Sequence, residues 1–116
     1  MVATAAHLAE AFSSHRFEEV IPHIAEDVEW DLVGNGTLVG RDAVVDACRG
    51  TAEELSSTDT AFTRLFVVAG DDAVAVDSIA EYTDVDGERT VVASCDVYEL
   101  EGGLVRRIRS YNVELG

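Results

Sequence analysis

The sequence predicts a single α+β domain, spanning residues 1–116, in which helices pack on one face of a curved antiparallel sheet. Apolar residues recur three and four positions apart in the first half, whereas the second half alternates as strands do. Short turns rich in Gly and Asp separate the later strands, which is typical of consecutive hairpins. A group of helices followed by a group of strands indicates the α+β class. The chain is long enough for one substantial core.

Three helices are predicted in the first half. Leu8 and Phe12 mark the apolar face of the first helix. A second, shorter helix is expected from about Glu18, because Pro22 is tolerated only near a first turn. The third helix is expected from about Asp42.

Five strands are predicted from alternating or β-branched stretches, separated by turn residues. One lies between the second and third helices and is followed by a loop over 35–40. The other four form the second half of the chain. The five cover residues 27–33, 60–69, 73–83, 89–100 and 104–113.

Charge and hydropathy exclude several classes of partner. The net charge of −15 repels phosphate backbones, so nucleic acid is not an expected partner. No apolar run reaches the roughly 20 residues that a membrane span requires. The first residues lack a basic region followed by an apolar stretch, so we expect no signal peptide and a cytoplasmic location.

Asp96 is the first candidate functional residue. It lies within an apolar strand and shares a strand face with Ser94 and Tyr98. An ionised carboxylate in such a place is costly and tends to take up a proton. A carboxyl in an apolar cleft is therefore a functional candidate. The alternative is a structural ion pair with Arg106 or Arg109 on the next strand.

Four segments in this order resemble the nuclear transport factor 2-like superfamily, which includes SnoaL-like polyketide cyclases and ketosteroid isomerases. The resemblance implies a cone-shaped, curved antiparallel sheet with three N-terminal helices on its concave face. It is carried by Arg16-Phe17-Glu18-Glu19-Val20, Ala25-Glu26-Asp27-Val28-Glu29-Trp30-Asp31, Gly40-Arg41-Asp42-Ala43-Val44, and the closing run from Asp96-Val97-Tyr98-Glu99-Leu100 to Gly103-Leu104-Val105-Arg106-Arg107-Ile108.

The same resemblance implies roles for two acids. The run 89–96 is similar to the isomerase strand that holds a protonated aspartic acid, and 30–34 is similar to the segment with its general base. Asp31 would then be the base and Asp96 the acid, meeting in one apolar cavity. A solvated residue at the strand end is the alternative for Asp31. Leu8 stands where the isomerase has a catalytic tyrosine.

Other residues are assigned by the same resemblance. Ser94 and Ser110 stand where limonene-epoxide hydrolases of the superfamily carry an arginine and a second aspartate. The three histidines have spacings that fit no ligand pair, and we interpret them as surface or helix-end residues; they are His7, His15 and His23. Seven residues are expected to line the cavity: Trp30, Tyr82, Ser94, Tyr98, Ile108, Ser110 and Asn112.

The resemblance, together with the two acids, implies a cofactor-free enzyme of the SnoaL-like kind that transfers protons on a small hydrophobic carbonyl compound, by isomerisation, cyclisation or dehydration. The alternatives are a small-molecule binder without catalysis and a structural dimer. A homodimer is expected through the outer face of the sheet, as in many relatives. The residues expected there are Val91, Ala93, Val97, Arg107, Arg109 and Tyr111.

Overall fold

The first helix, α1 (Ala5–Ser13), is positioned by its cap and its apolar face. The structure is a computed structural model that describes residues 4–116. The prediction that there is no signal peptide rests partly on the residues before Thr4, which lie outside the described residues. Thr4 Oγ1 accepts a hydrogen bond from the His7 backbone N–H at 3.1 Å and caps the helix. Leu8 and Phe12 are buried, so this face packs against the sheet.

The predicted second helix is corrected to two short 3₁₀ turns, Phe17–Glu19 and Ile21–His23. Pro22 lacks a backbone N–H, so it cannot donate the hydrogen bond to the Glu18 carbonyl that an α-helix beginning at Glu18 would need. The chain therefore tightens into single turns and becomes extended at Ile24. The structure has two α-helices where three helices were predicted.

The next two strands form a hairpin. Strand β1 (Ile24–Leu32) begins three residues before the predicted strand, and β2 (Gly36–Val39) pairs with it where a loop was predicted. The short β2 begins at Gly36 and is followed by Gly40, and it was missed because four residues show little periodicity. Gly40 then leads into α2 (Arg41–Leu55).

The remaining strands match their predicted positions within one residue at each end. They are β3 (Asp59–Ala69), β4 (Ala73–Thr83), β5 (Arg89–Glu101) and β6 (Leu104–Glu114). The six-stranded sheet has the order β2-β1-β6-β5-β4-β3. All neighbours are antiparallel except β1 and β6, which run parallel. This parallel pair departs from the antiparallel sheet that was predicted.

The core lies between the helices and the inner face of the sheet. Its largest fully buried side chains include Leu8 from α1, Val44 from α2, and Tyr98 and Ile108 from the central strands. Burying one such aliphatic side chain contributes about 1.5–3 kcal/mol to folding. The prediction of the α+β class with a curved sheet is confirmed. Within residues 4–116 no helix is long and apolar enough to cross a membrane.

Candidate functional site

A cavity of about 420 Å³ lies between the inner face of the sheet and the helices. Its walls are mainly aromatic and aliphatic, and one carboxyl group, several hydroxyls and one imidazole interrupt them. A hollow of this size and character fits a small organic ligand. The apolar part of the wall comes from Phe12, Phe17, Trp30, Leu32, Ala47, Phe62, Ala80 and Val92.

Asp96 lies on this wall because its strand alternates between the two faces of the sheet. Val97 points outward, whereas Asp96 and the fully buried Tyr98 point inward. Asp96 is 8% exposed. Its Oδ2 accepts a hydrogen bond of 2.8 Å from Ser13 Oγ, at the end of α1.

A short chain of hydroxyls supports the Asp96 carboxylate. Ser13 Oγ also lies 2.5 Å from Tyr98 Oη. A serine hydroxyl has a single proton, so when Ser13 donates to Asp96 it accepts from Tyr98. Burial raises the pKa of the Tyr98 phenol, and the charge of Asp96 raises it further, so Tyr98 keeps its proton. The result is a directed chain from Tyr98 through Ser13 to Asp96.

Two effects oppose each other at Asp96. Burial, the larger effect, raises the pKa of the Asp96 carboxyl, because an apolar surrounding disfavours the charged form. The hydroxyl groups of Ser110, Ser13 and Tyr98 lower the pKa in part, since they stabilise the carboxylate. Burial prevails, so this carboxyl takes up a proton more readily than an exposed aspartic acid does.

Asp96 does not pair with Arg106 or Arg109, which was the alternative interpretation of this residue. Arg106 lies 2.9 Å from Asp27 and 2.7 Å from Glu101. Arg109 Nη1 lies 2.9 Å from Asp31 Oδ2. Within residues 4–116 no arginine pairs with Asp96, so its charge is balanced by hydroxyl dipoles alone.

The prediction that Asp31 and Asp96 face one cavity is wrong. On β1, Trp30 lies on the inner face of the sheet beside Ile108 of β6. Asp31 is the next residue, so its side chain lies on the outer face, beside Arg109. Thr37 Oγ1 also donates to Asp31 Oδ1 at 3.3 Å. The alternation of β1 contained the signal, because Asp31 falls on the face opposite to Trp30.

The other predicted cavity residues divide into two groups. Tyr98 and Ile108 are corrected, since both are fully buried in the core and do not line the hollow. Two hydrogen bonds order the sheet side of the cavity beside Asp96, from Trp30 Nε1 to Ser110 Oγ at 2.9 Å and from Ser94 Oγ to Asn112 Oδ1 at 2.6 Å. The structure places on the wall Trp30, Tyr82, Ser94, Ser110 and Asn112.

His15 lies just after the end of α1, but it is not a surface residue, because its ring lines the cavity. The residue follows α1 with φ of 67°, a left-handed conformation that histidine adopts more readily than most residues. This turn directs the ring toward Phe17 and Phe62, with centroids 5.6 and 5.5 Å away. Its Nε2 lies 2.8 Å from Tyr82 Oη. Burial lowers the pKa of His15, so the ring is neutral at neutral pH.

Sequence reasoning also missed Ser13. It lies four residues after Ala9 and is buried on the same face of α1. That i, i+4 spacing was a usable signal. No such signal exists for His15, because its inward direction comes from a backbone conformation beyond the helix end. Within the described residues no group of three or more His, Cys, Asp or Glu has an arrangement that fits a metal ion.

Comparison with solved structures finds the same fold in several bacterial proteins. An NTF2-like protein of unknown function from Cytophaga hutchinsonii is 25% identical with a TM-score of 0.80, covering 91% of this chain and 93% of that one. An LEH-like epoxide hydrolase of M. tuberculosis is 18% identical with a TM-score of 0.68, covering 93% and 77%. A candidate polyketide cyclase from Xanthomonas campestris pv. campestris is 20% identical with a TM-score of 0.70, covering 90% and 83%.

No curated protein matches the sequence with significance. The SnoaL-like domain, in contrast, matches residues 5–108, which is nearly the whole chain. The fold and this match agree with the resemblance that the four sequence segments carried. The protein is a member of the SnoaL-like family, within the NTF2-like superfamily.

Proposed function

We propose that the protein is an enzyme that transfers a proton on a small hydrophobic carbonyl compound without a cofactor. Isomerisation, cyclisation and dehydration are the reactions of this kind. Asp96 is the residue that moves the proton. The observation that carries the proposal is a buried carboxyl, free of any arginine within residues 4–116, on the wall of an apolar cavity.

The environment of Asp96 suits a general base, because burial raises the pKa of its carboxyl. A carboxylate with a raised pKa binds a proton more strongly than an exposed one, which favours removal of a proton next to a carbonyl group. Asp31 lies on the outer face, so Asp96 is the one carboxyl on the cavity wall among residues 4–116. In this proposal it both takes the proton and returns it.

The walls define the substrate class. Phe12, Phe17 and Phe62 surround the hollow with aromatic surface, and Leu32 and Val92 add aliphatic surface. An uncharged, largely apolar molecule gains most from this burial. The volume of about 420 Å³ limits it to a small ligand.

The experiment follows deuterium incorporation. The protein is incubated in D₂O with a panel of small ketones, and NMR detects exchange of the protons next to the carbonyl. Wild type is expected to accelerate exchange for at least one ketone. Asp96→Asn is expected to slow it by about 100-fold or more, because general base catalysis contributes this much.

Glu99→Gln is the matched control, since Glu99 is exposed on the outer face of the same strand. It is expected to exchange within about twofold of wild type, as distant surface changes usually do. Equal exchange by Asp96→Asn and wild type would refute the proposal. Thermal stabilisation by the ketones without exchange would instead support the second candidate, a non-catalytic binder, which the apolar cavity also fits.

We also propose that the protein forms a homodimer through the outer face of the sheet. Tyr111 is 42% and Val113 is 59% exposed on β6, and they pair with Cys95 and Ala93 on β5. Contiguous exposed apolar surface of this kind marks interaction sites. A cytoplasmic location, and a small molecule rather than nucleic acid or a membrane as partner, stay predictions from the sequence.

A further inference from the structure

Tyr82 and His15 form a polar pair on the cavity wall, and neither has a role in the proton transfer proposed for Asp96. Tyr82 lies near the end of β4 and is half-buried. His15 lies just after α1, and its Nε2 is 2.8 Å from Tyr82 Oη. Both side chains line the cavity that also holds Asp96.

The surroundings of His15 decide which of its nitrogens carries the proton. His15 Nδ1 is buried and has no hydrogen-bond partner within residues 4–116. A buried N–H without an acceptor is rare in proteins, whereas an acceptor left unpaired is tolerated more often. The proton of the neutral ring therefore belongs on Nε2. From there it is donated to Tyr82 Oη.

This tautomer fixes the direction of the Tyr82 hydroxyl. Because Tyr82 Oη accepts from His15, its own O–H cannot point back at the ring and is available on the cavity side. Among the described residues, His15 is the one hydrogen-bond partner of Tyr82 Oη. Burial raises the pKa of Tyr82, and the charge of Asp96 raises it further, so the phenol keeps its proton.

We propose that Tyr82 donates a hydrogen bond to the carbonyl oxygen of the substrate, and that His15 is the positioning residue that aims it. This inference rests on the proposed function. Asp96 takes a proton from the carbon next to the carbonyl, and the C–H electron pair forms a C=C bond. The C=O π pair moves onto oxygen, where the Tyr82 hydroxyl stabilises the developing charge. Return of the proton from Asp96 to carbon completes the cycle.

Leu8 on α1 cannot supply such a donor, because its side chain is apolar and buried in the core. The resemblance placed Leu8 where the isomerase carries its tyrosine, and Leu8 is 1% exposed within the apolar core. It offers no donor. Tyr82 supplies a phenol to the same cavity from a different element, namely a strand instead of the first helix.

The test uses ligand binding, so that it does not depend on turnover. Phenols of increasing acidity mimic the enolate oxygen, and toluene serves as an apolar ligand without it. Binding to wild type is expected to strengthen as the phenol becomes more acidic. Tyr82→Phe is expected to weaken the most acidic phenol by about 10- to 100-fold, as loss of a hydrogen bond to a charged group does. Toluene affinity is expected to stay within twofold, which also shows that the variant is folded.

Two further measurements examine His15. Its ¹⁵N chemical shifts are expected to show the neutral form protonated on Nε2, a signature that a merely structural ring would not require. His15→Asn keeps a residue that tolerates positive φ and removes the bond to Tyr82. It is expected to reduce the dependence of affinity on phenol acidity. Tyr111→Phe, on the outer face, is the matched control and is expected to bind as wild type does.

The outcomes separate this inference from the proposed function. Unchanged phenol binding in Tyr82→Phe, or a His15 proton on Nδ1, overturns the donor assignment even if Asp96→Asn abolishes exchange. If Tyr82→Phe weakens phenols while Asp96→Asn exchanges as wild type, Tyr82 is a donor to ligands and the proton-transfer proposal fails.

Discussion

At Asp96, burial and hydrogen bonding act in opposite directions on the same carboxyl. Burial raises its pKa above the ordinary value of 3.8, and the neighbouring hydroxyls reduce this rise. The folded protein therefore binds this proton more tightly than the unfolded chain does. The free energy of unfolding then falls as the pH rises from 3.8 through the raised pKa. The ionised form of Asp96 therefore stabilises the fold less than the protonated form does.

We expect Asp96→Asn to be more stable than wild type at pH 7, by about 0.5–2 kcal/mol, the range of typical single substitutions. The amide has no charge to bury and can still accept from Ser13. The gain is expected to shrink as the pH is lowered toward 3.8. Urea unfolding between pH 4 and 8 measures it. Glu99→Gln removes an exposed charge from the same strand and serves as the control. A variant that is less stable at pH 7, or a gain that is independent of pH, would contradict this account.

Among the elements, the start of α2 depends on one backbone conformation. Gly40 precedes Arg41 with φ of 94° and ψ of 151°, a region that is open almost only to glycine. A Cβ added at Gly40 would meet no atom within 4 Å. The cost of a side chain there is therefore backbone strain and not a clash.

Gly40→Ala is expected to lower the free energy of unfolding by roughly 1–3 kcal/mol, as residues forced into this region do. Gly50 offers the matched control, because it lies inside α2 and an added Cβ would again meet no atom within 4 Å. Gly50→Ala is expected to raise stability by about 0.5–1 kcal/mol through better helix propensity. Chemical denaturation of both variants gives the two values. Equal effects of the same sign would show that the conformation of Gly40 is unimportant.

The accuracy of the prediction from sequence differed from element to element. The ends of strands β3 to β6 were predicted within one residue, because an alternating pattern of ten or more residues leaves little choice of where the strand lies. The break into 3₁₀ turns around Pro22 and the four-residue strand β2 are local features. The periodicity of the sequence did not reveal either of them. Asp96 was found because a carboxyl in an apolar strand is unusual in itself. His15 was not, since its direction depends on a left-handed residue after a helix end, which the sequence pattern does not encode.

For the whole molecule, the net charge of −15 opposes the association that the exposed apolar residues Tyr111 and Val113 on the outer face of the sheet favour. Repulsion between two such chains opposes the proposed homodimer, and salt weakens it, with a screening length of about 10 Å at 0.1 M. The dimer is therefore expected to tighten as salt is added. An interface held by ion pairs would weaken instead.

Val113→Asp is expected to shift the protein to a monomer at concentrations where wild type is dimeric, since it places a charge in the apolar patch. Sedimentation velocity between 50 and 500 mM NaCl, roughly spanning the range over which screening changes most, measures both effects. Val85→Asp, in an exposed turn, is the control and is expected to leave the dimer intact. A wild-type monomer at every salt concentration would exclude the homodimer.

The order of the strands has a consequence for how the protein is made. β6, the latest strand in the chain, lies between β1 and β5 and joins the hairpin of β1 and β2 to the other three strands. Until it has left the ribosome, the early hairpin has no sheet partner on its open edge, and the walls around the ligand space are incomplete. Nascent chains stalled before residue 104 should therefore be protease-sensitive, and folding should follow synthesis of nearly the whole domain.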